Sequence, residues 1–315
     1  MWEPFGPTVG LMAAAASVNL LDQIAKIAGT SFFQAAGLIP QVITRTHFGR
    51  VWLIRMSLIA LLAIVFVLSG KKVSGEKRLE GRPALFLILG ILLLISFTES
   101  ASGHPADKGD FTFREINDWF HLMGAEAWGG GLRALSALVL PRIIIKNPDN
   151  APESDANQVM VAGIARGFSV MAGFGVAVMA ITGAANYGLY VRGARALIKT
   201  PYGLTVAAKI VLFCIILALG AFNRYVSVPE LEQWAGCPSK KQGFTGRAAA
   251  RFFHPFVKGL AGHRMAVLFK RLVRAEVFLV IVILFCAALL THEMPASHYM
   301  HMKQGRGAMQ NMDGM

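Results

Sequence analysis

Soft metal donors are concentrated at the carboxyl terminus of this 315-residue chain. Residues 292–315 read HEMPASHYMHMKQGRGAMQNMDGM and hold three histidines and six of the chain's 14 methionines. Thioether sulfur and imidazole suit Cu(I), or exchange between Cu(I) and Cu(II), better than they suit Mg²⁺ or Ca²⁺. The sequence predicts a copper-binding tail, and the alternative is a tail of biased composition that binds no metal. The candidate ligands are His292, Met294, His298, Met300, His301 and Met302.

Three histidines upstream of the tail are further candidate ligands. His104 ends the run SFTESASGH, and His121 lies in REINDWFHLMGAEAWGGGL. Asp118 precedes His121 by three residues, so the two share a helix face and the carboxylate is placed to orient the imidazole ring. His47 lies in a polar segment beside arginines. For each histidine the alternative is a hydrogen-bonded packing residue.

Ionisable residues also fall inside apolar segments, where each is expected to face the bundle or a wet cavity rather than lipid. Glu99 and Glu126 lie on the histidine side and are candidates for relaying a cation or a proton. Asp22 and Lys26 are spaced i, i+4 and are expected to pair within one helix. Interhelical ion pairs that fix packing are an equally good interpretation of Arg55, Arg133, Lys209 and Glu276.

The elements that would position these residues are membrane-spanning helices. Apolar residues make up 55% of the chain, charged residues 16%, and the mean hydropathy is +0.52. That composition excludes a soluble enzyme, a fibrous protein and a disordered chain. The predicted fold is an all-α, polytopic transmembrane bundle of about seven helices, because seven runs approach the roughly 20 residues needed to span a bilayer. They lie at 8–29, 49–70, 84–102, 115–145, 159–190, 203–225 and 265–291.

The distribution of basic residues predicts the orientation of the bundle. One set of connecting segments (71–83, 142–158 and 224–274) holds 17 Lys or Arg residues, and the other set holds nine. The positive-inside rule therefore places the amino terminus in the cytoplasm and the tail in the periplasm. We expect no cleaved signal peptide, because no basic segment precedes the first apolar run.

Three regions follow from this layout: a bundle over 1–291, a basic amphipathic cytoplasmic loop over 226–264, and the tail over 292–315. The formal net charge of +13 raises nucleic acid as a partner, but no nucleic-acid-binding motif is present. The basic loop is instead expected to meet anionic membrane lipids. The sequence contains no phosphate-binding loop, so we expect neither nucleotide-driven pumping nor an enzyme.

Several short motifs, taken in order, resemble the copper resistance protein D family of bacterial inner-membrane proteins. The resemblance covers residues 40–295. Its motifs are THFGRVWLIR (46–55), SGH (102–104), D-x-x-H…W-G-G-G-L (118–132), GFS…TG (167–183), TPYGLTVAAK (200–209), FNR (222–224) and RLVRAE…P (271–295).

The resemblance implies an all-helical protein that takes copper across the inner membrane, with a small periplasmic copper carrier as its companion. It points to His104 and His121 as the metal residues. The family usually has a further amino-terminal helix, so this chain is expected to start one helix late. The Met/His tail is not expected in every member.

The sequence thus predicts copper uptake, with the metal received on the periplasmic face by the tail and passed to His104 and His121. Two alternatives belong to other classes of protein. One is a copper-binding protein that does not transport the metal and hands it to a periplasmic or membrane cuproenzyme. The other is an electron carrier whose outer histidines hold haem b.

Overall fold

A computed structural model describes residues 5–70, 72–73, 76–77, 82–103, 106, 109–140, 155–191, 193–237, 244–257, 262–290 and 293. Within these ranges the chain is helical, apart from connecting turns and one antiparallel ladder that pairs Lys72–Val73 with Glu76–Lys77. The chain divides into two compact units, residues 1–123 and 124–315. The predicted all-α, multi-pass bundle is confirmed.

The first unit is built around three long helices. Its helices, numbered in chain order, are α1 (Phe5–Ala28), α2 (Phe32–Ala35), α3 (Ile39–Arg45), α4 (His47–Gly70), α5 (Arg82–Ala101) and α6 (Phe113–Ala125), whose last two residues belong to the second unit. A 3₁₀ turn, Ala36–Leu38, joins α2 to α3. The segment 30–48, which connects the first two predicted runs, is therefore largely helical, because its apolar residues pack on Leu20 and Ile24 of α1.

The second unit contains π-helical segments between its helices. Those segments are Glu126–Gly130, Leu135–Val139 and Asn223–Ser227. Its helices are α7 (Gly131–Ala134), α8 (Asp155–Tyr190), α9 (Ala194–Lys199), α10 (Pro201–Phe222), α11 (Val228–Trp234), α12 (Phe244–Val257) and α13 (His263–Leu290).

Six helices in the described part of the chain are long and apolar enough to cross a membrane. Five of them begin and end within two residues of predicted runs, and the sixth, Pro201–Trp234, continues nine residues beyond the predicted run 203–225. The remaining run, 115–145, is helical over the part that the structure describes but carries charged residues, among them Glu115, Asp118 and Arg133. Large apolar side chains on the spans point outward, as expected of a surface that meets lipid: Phe174 is 75% exposed and Phe86 is 69% exposed.

Each unit has its own apolar core. In the first unit, Ile59 and Leu62 of α4 pack with Ile91 and Ile95 of α5. In the second unit the core brings together buried side chains from α7, α8, α10, α11 and α13: Leu132, Val161, Ile216, Leu231 and Phe269. These cores hold the long helices together as bundles. Each helix satisfies its own backbone hydrogen bonds, as lipid requires.

Helix α12 lies within the segment predicted to be basic and amphipathic. Phe252 is 70% exposed, whereas the ring of Phe253 packs edge-to-face on Phe222 at 5.3 Å between centroids. Arg247 and Arg251 are exposed on the same helix. A partly anchored helix with aromatic and cationic side chains is suited to a membrane surface, and its location there stays a prediction.

Both units use the same junction between a short helix and a long one. In the first unit, Thr46 Oγ1 donates to the carbonyl of Val42 at 2.7 Å and accepts from Gly49 N at 2.9 Å. A side chain at Gly49 would collide with the backbone of α3 at Val42 and Ile43. The glycine therefore allows α3 to fold back closely on α4.

The second unit repeats this geometry at the sequence T-x-x-G. Thr200 Oγ1 donates to the carbonyl of Ala196 at 2.7 Å and accepts from Gly203 N at 2.9 Å. A Cβ at Gly203 would collide with the carbonyls of Ala196 and Leu197. In each unit a long helix precedes the short one, and a basic residue follows the threonine by nine positions, Arg55 in one and Lys209 in the other. The two units thus share this helix junction.

Alanine at Gly203 is expected to lower the free energy of unfolding by about 1–3 kcal/mol, because the new methyl group meets rigid backbone. Gly220, in the same helix, has no atom within 4 Å of a built Cβ and supplies the matched control. Gly220→Ala should be neutral or slightly stabilising, since alanine favours helix. Thermal unfolding of both variants in detergent measures the difference, and equal stability would contradict the close approach at the junction.

Candidate functional site

A buried arginine organises one end of the first unit. Arg55, in the span formed by α4, is 1% exposed. Its Nε donates to Thr98 Oγ1 at 2.9 Å, and its Nη2 donates to the Thr98 carbonyl at 2.6 Å and to Ser102 Oγ at 2.7 Å. A guanidinium inside a membrane span is costly unless it is hydrogen-bonded and paired. These contacts tie α4 to the last turn of α5.

Glu99 supplies the counter-charge of this arginine. Its Oε1 lies 3.1 Å from Arg55 Nη1, and its side chain is 45% exposed. Glu99 was predicted as a relay group, and Arg55 as a member of an interhelical ion pair. The structure confirms the pair for Arg55 and shows that the Glu99 carboxylate is engaged by it. The arrangement buries a positive charge and leaves a partly solvated carboxylate beside it.

The segment that follows α5 is anchored on both sides of His104. On one side, Ser102 is held by Arg55. On the other side, the backbone N–H of Phe111 donates to Glu115 Oε2, while the ring of Phe111 stacks on Phe97 at 5.6 Å between centroids. Phe111 has a positive φ of 58°, which is uncommon for an aromatic residue and is held by these contacts.

Helix α6 is fixed to α5 by two further hydrogen bonds. Ser100 Oγ donates to the Glu115 carbonyl at 2.8 Å, and Trp119 Nε1 donates to the Leu93 carbonyl at 3.1 Å. Glu115 is fully buried. The helix that carries Asp118 and His121 is therefore held against the helix that leads to His104.

His47, a predicted ligand, begins α4 and contacts an acidic residue that the sequence analysis did not single out. Its Nε2 lies 3.0 Å from Asp110 Oδ1, and both side chains are about half exposed. The contact links the start of α4 to the segment before α6. A carboxylate on one ring nitrogen orients an imidazole and fixes which nitrogen remains for a metal, which here is Nδ1.

Asp118 and His121 both lie on α6, are half-buried and have interactions within the structure. Whether Asp118 orients His121 stays a prediction. Glu126 belongs to the second unit, where it is exposed and also has an interaction. Asp22 and Lys26 form the predicted pair, at 2.6 Å between Oδ2 and Nζ.

Seven of the predicted ligands lie outside the described residues: His104, His292, Met294, His298, Met300, His301 and Met302. Within the described ranges, no group of three or more His, Cys, Asp or Glu side chains is placed to hold a metal ion. The predicted ligand set therefore stays a prediction. What the structure adds are the contacts of Arg55, Glu99, Asp110 and Glu115 at the described residues before and after His104.

Two models of one protein family match this chain. The model for copper resistance protein D matches residues 162–290, and the model for the copper resistance protein D-like N-terminal domain matches residues 3–111. One match falls in each compact unit. No solved structure matches the chain.

Two curated proteins are similar in sequence. Copper resistance protein D of Pseudomonas syringae pv. tomato is 25% identical over 230 residues, which cover 71% of this chain and 68% of that protein. Copper transport protein CutJ of Bacillus subtilis (strain 168) is 28% identical over 187 residues, which cover 59% of this chain and 32% of that protein.

Proposed function

Because the chain belongs to the copper resistance protein D family, we propose that it transports copper across the bacterial inner membrane, receiving the metal on the periplasmic face. The proposed activity is movement of an ion and involves no covalent chemistry. Copper, as Cu(I) or Cu(II), is the cargo rather than a resident cofactor. The name of the Bacillus subtilis relative, a copper transport protein, agrees with this proposal.

One observation carries the proposal: the described residues on either side of His104 are held by hydrogen bonds to charged side chains. Ser102 is bound by Arg55, and Phe111 is bound by Glu115. A site that must exchange copper quickly gains from donors that are held near each other before the ion arrives.

The Arg55–Glu99 pair removes the repulsion that a buried arginine would exert on an approaching cation. An unpaired Arg55 would repel copper, but Glu99 neutralises it at 3.1 Å. Copper would pass by ligand exchange from the Met/His tail to His104 and His121, with His47 as a further donor. Glu99 and Glu126 are the proposed relay carboxylates, and Glu99 would serve in that role through its second carboxylate oxygen while Oε1 stays paired with Arg55. We also propose a small periplasmic copper carrier as the partner that loads the tail.

Copper accumulation by cells with and without the protein tests the proposed uptake. Cells that make the full chain should accumulate more copper than cells that lack it. A chain ending at Thr291 should lose much of this gain, because the soft donors of the tail are removed. Reporter fusions at the carboxyl terminus supply the control for orientation. Equal copper content with and without the protein, or a cytoplasmic carboxyl terminus, would contradict uptake through the tail.

A further inference from the structure

The second unit contains a buried carboxyl group that the proposed copper path does not use. Glu276 of α13 is 2% exposed. It lies twelve residues, about 18 Å, from the start of the span Arg264–Leu290, and fourteen residues from its end. None of the ion pairs formed among the described residues includes it. An ionised carboxylate in such a position is costly unless a cation or several hydrogen bonds compensate its charge.

The partner of Glu276 is a neutral amide on a π-helical segment. Asn223 Nδ2 donates to Glu276 Oε1 at 2.6 Å, and Asn223 Oδ1 accepts from Ser227 Oγ at 3.2 Å. Both partners are buried. They belong to the π-helical segment Asn223–Ser227, an irregularity that is frequent at functional sites. Because the amide offers N–H to the carboxyl group, it stabilises the group without adding a positive charge.

Charged residues on the elements packed against α13 are directed elsewhere. Arg224 donates to the carbonyl of Ser169 at 2.5 Å. Glu232 pairs with Arg166. Lys209 is fourteen residues, about 21 Å, from Asn223 along α10 and its π-helical continuation.

The other charged residues near this end of the unit are on the surface or partly exposed. Arg133 of α7 is exposed, and Glu230 of α11 is half-buried. On α13 itself, Arg271 and Arg274 are exposed and Lys270 is half-buried. These three lie two to six residues before Glu276 and, with Arg264, make the amino-terminal end of α13 its basic end.

We propose that Glu276, with Asn223 and Ser227, forms a proton-binding site inside the second unit. In the conformation described, the carboxyl group carries the proton and is neutral. On release, the O–H bond breaks, the proton passes to a water molecule from the basic end of α13, and the carboxylate keeps the N–H of Asn223. Such a site allows the bundle to carry a proton across the membrane in the direction opposite to copper. That use rests on the proposed copper transport, but proton binding at Glu276 does not.

Infrared difference spectroscopy of the purified full chain, titrated with acid and base in the absence of copper, tests the site. A band for the C=O stretch of a protonated carboxyl group should appear in the wild-type protein and be lost in Glu276→Gln. Glu230→Gln, which removes a half-buried carboxyl group of the same unit, should keep the band. Identical difference spectra for wild type and Glu276→Gln would overturn the proposal, whether or not the protein transports copper.

A second variant tests the assignment of the carboxyl band to Glu276 if Glu276→Gln does not fold. Asn223→Ala removes the amide hydrogen bond of 2.6 Å and leaves the carboxyl group in place. The carboxyl band should then move to higher frequency, because its hydrogen bond is lost. A band that neither moves nor changes in this variant belongs to another carboxyl group and would overturn the assignment to Glu276.

Discussion

Glutamine at position 99 is expected to lower the free energy of unfolding by about 2 kcal/mol. The substitution leaves the guanidinium of Arg55, which is 1% exposed, without its counter-charge. Breaking a fully buried pair costs about 3–5 kcal/mol. The cost here is smaller, because Glu99 is 45% exposed and Arg55 keeps its hydrogen bonds to Thr98 and Ser102.

Asp22→Asn is the matched control, because it breaks another carboxylate–cation pair of the same unit. Asp22 and Lys26 are spaced i, i+4 and partly exposed, so their pair contributes about 0.5 kcal/mol or less. Denaturation in detergent compares the two variants. Adding Arg55→Met to Glu99→Gln should recover stability, because the unpaired charge is removed with its partner. A loss from Glu99→Gln no larger than that from Asp22→Asn would show that the Arg55 pair does not hold α4 to α5.

Alanine at His104 is expected to reduce copper accumulation to the level of cells that lack the protein. His104 lies two residues after Ser102, and the side chain of Ser102 is hydrogen-bonded to Arg55. His104 supplies an imidazole ligand that the proposed copper path requires. His121→Ala should cause a similar loss. His254→Ala is the control, because this histidine lies in the basic segment predicted to be cytoplasmic. Unchanged accumulation in both the His104 and His121 variants would contradict the ligand assignment.

The length of the apolar runs was sufficient to predict the six spans. A lipid environment imposes the same constraint on every crossing helix, so a long apolar run is informative by itself. The Asp22–Lys26 pair was also predictable, because i, i+4 spacing places two side chains on one helix face. Such signals are local, and each can be read from a single segment.

The contacts that shape the candidate site are not local. Arg55 meets Glu99 across 44 positions, and His47 meets Asp110 across 63. No spacing rule in one sequence connects residues so far apart, which is why Asp110 was missed. Asn223 and Glu276 were likewise seen in different motifs, and only helix packing joins them.

The short helices α2 and α3 were missed for a different reason. The segment 30–48 contains no apolar run long enough to span a membrane, so run length alone predicts a connecting segment there. Its structure depends on a tertiary contact with α1 and on the hydrogen bonds of Thr46. The repeated T-x-x-G motif at 46–49 and 200–203 was the signal that could have revealed the shared junction.

Copper movement into sealed vesicles that contain the purified full chain tests the central claim most directly. With copper supplied on the side that bears the carboxyl terminus, the metal inside wild-type vesicles should rise above that in protein-free vesicles and resist an external chelator. Vesicles with the His104→Ala variant should resemble the protein-free ones. Copper that binds the wild-type vesicles but is fully removed by the chelator would contradict transport and favour handover of the metal to another protein.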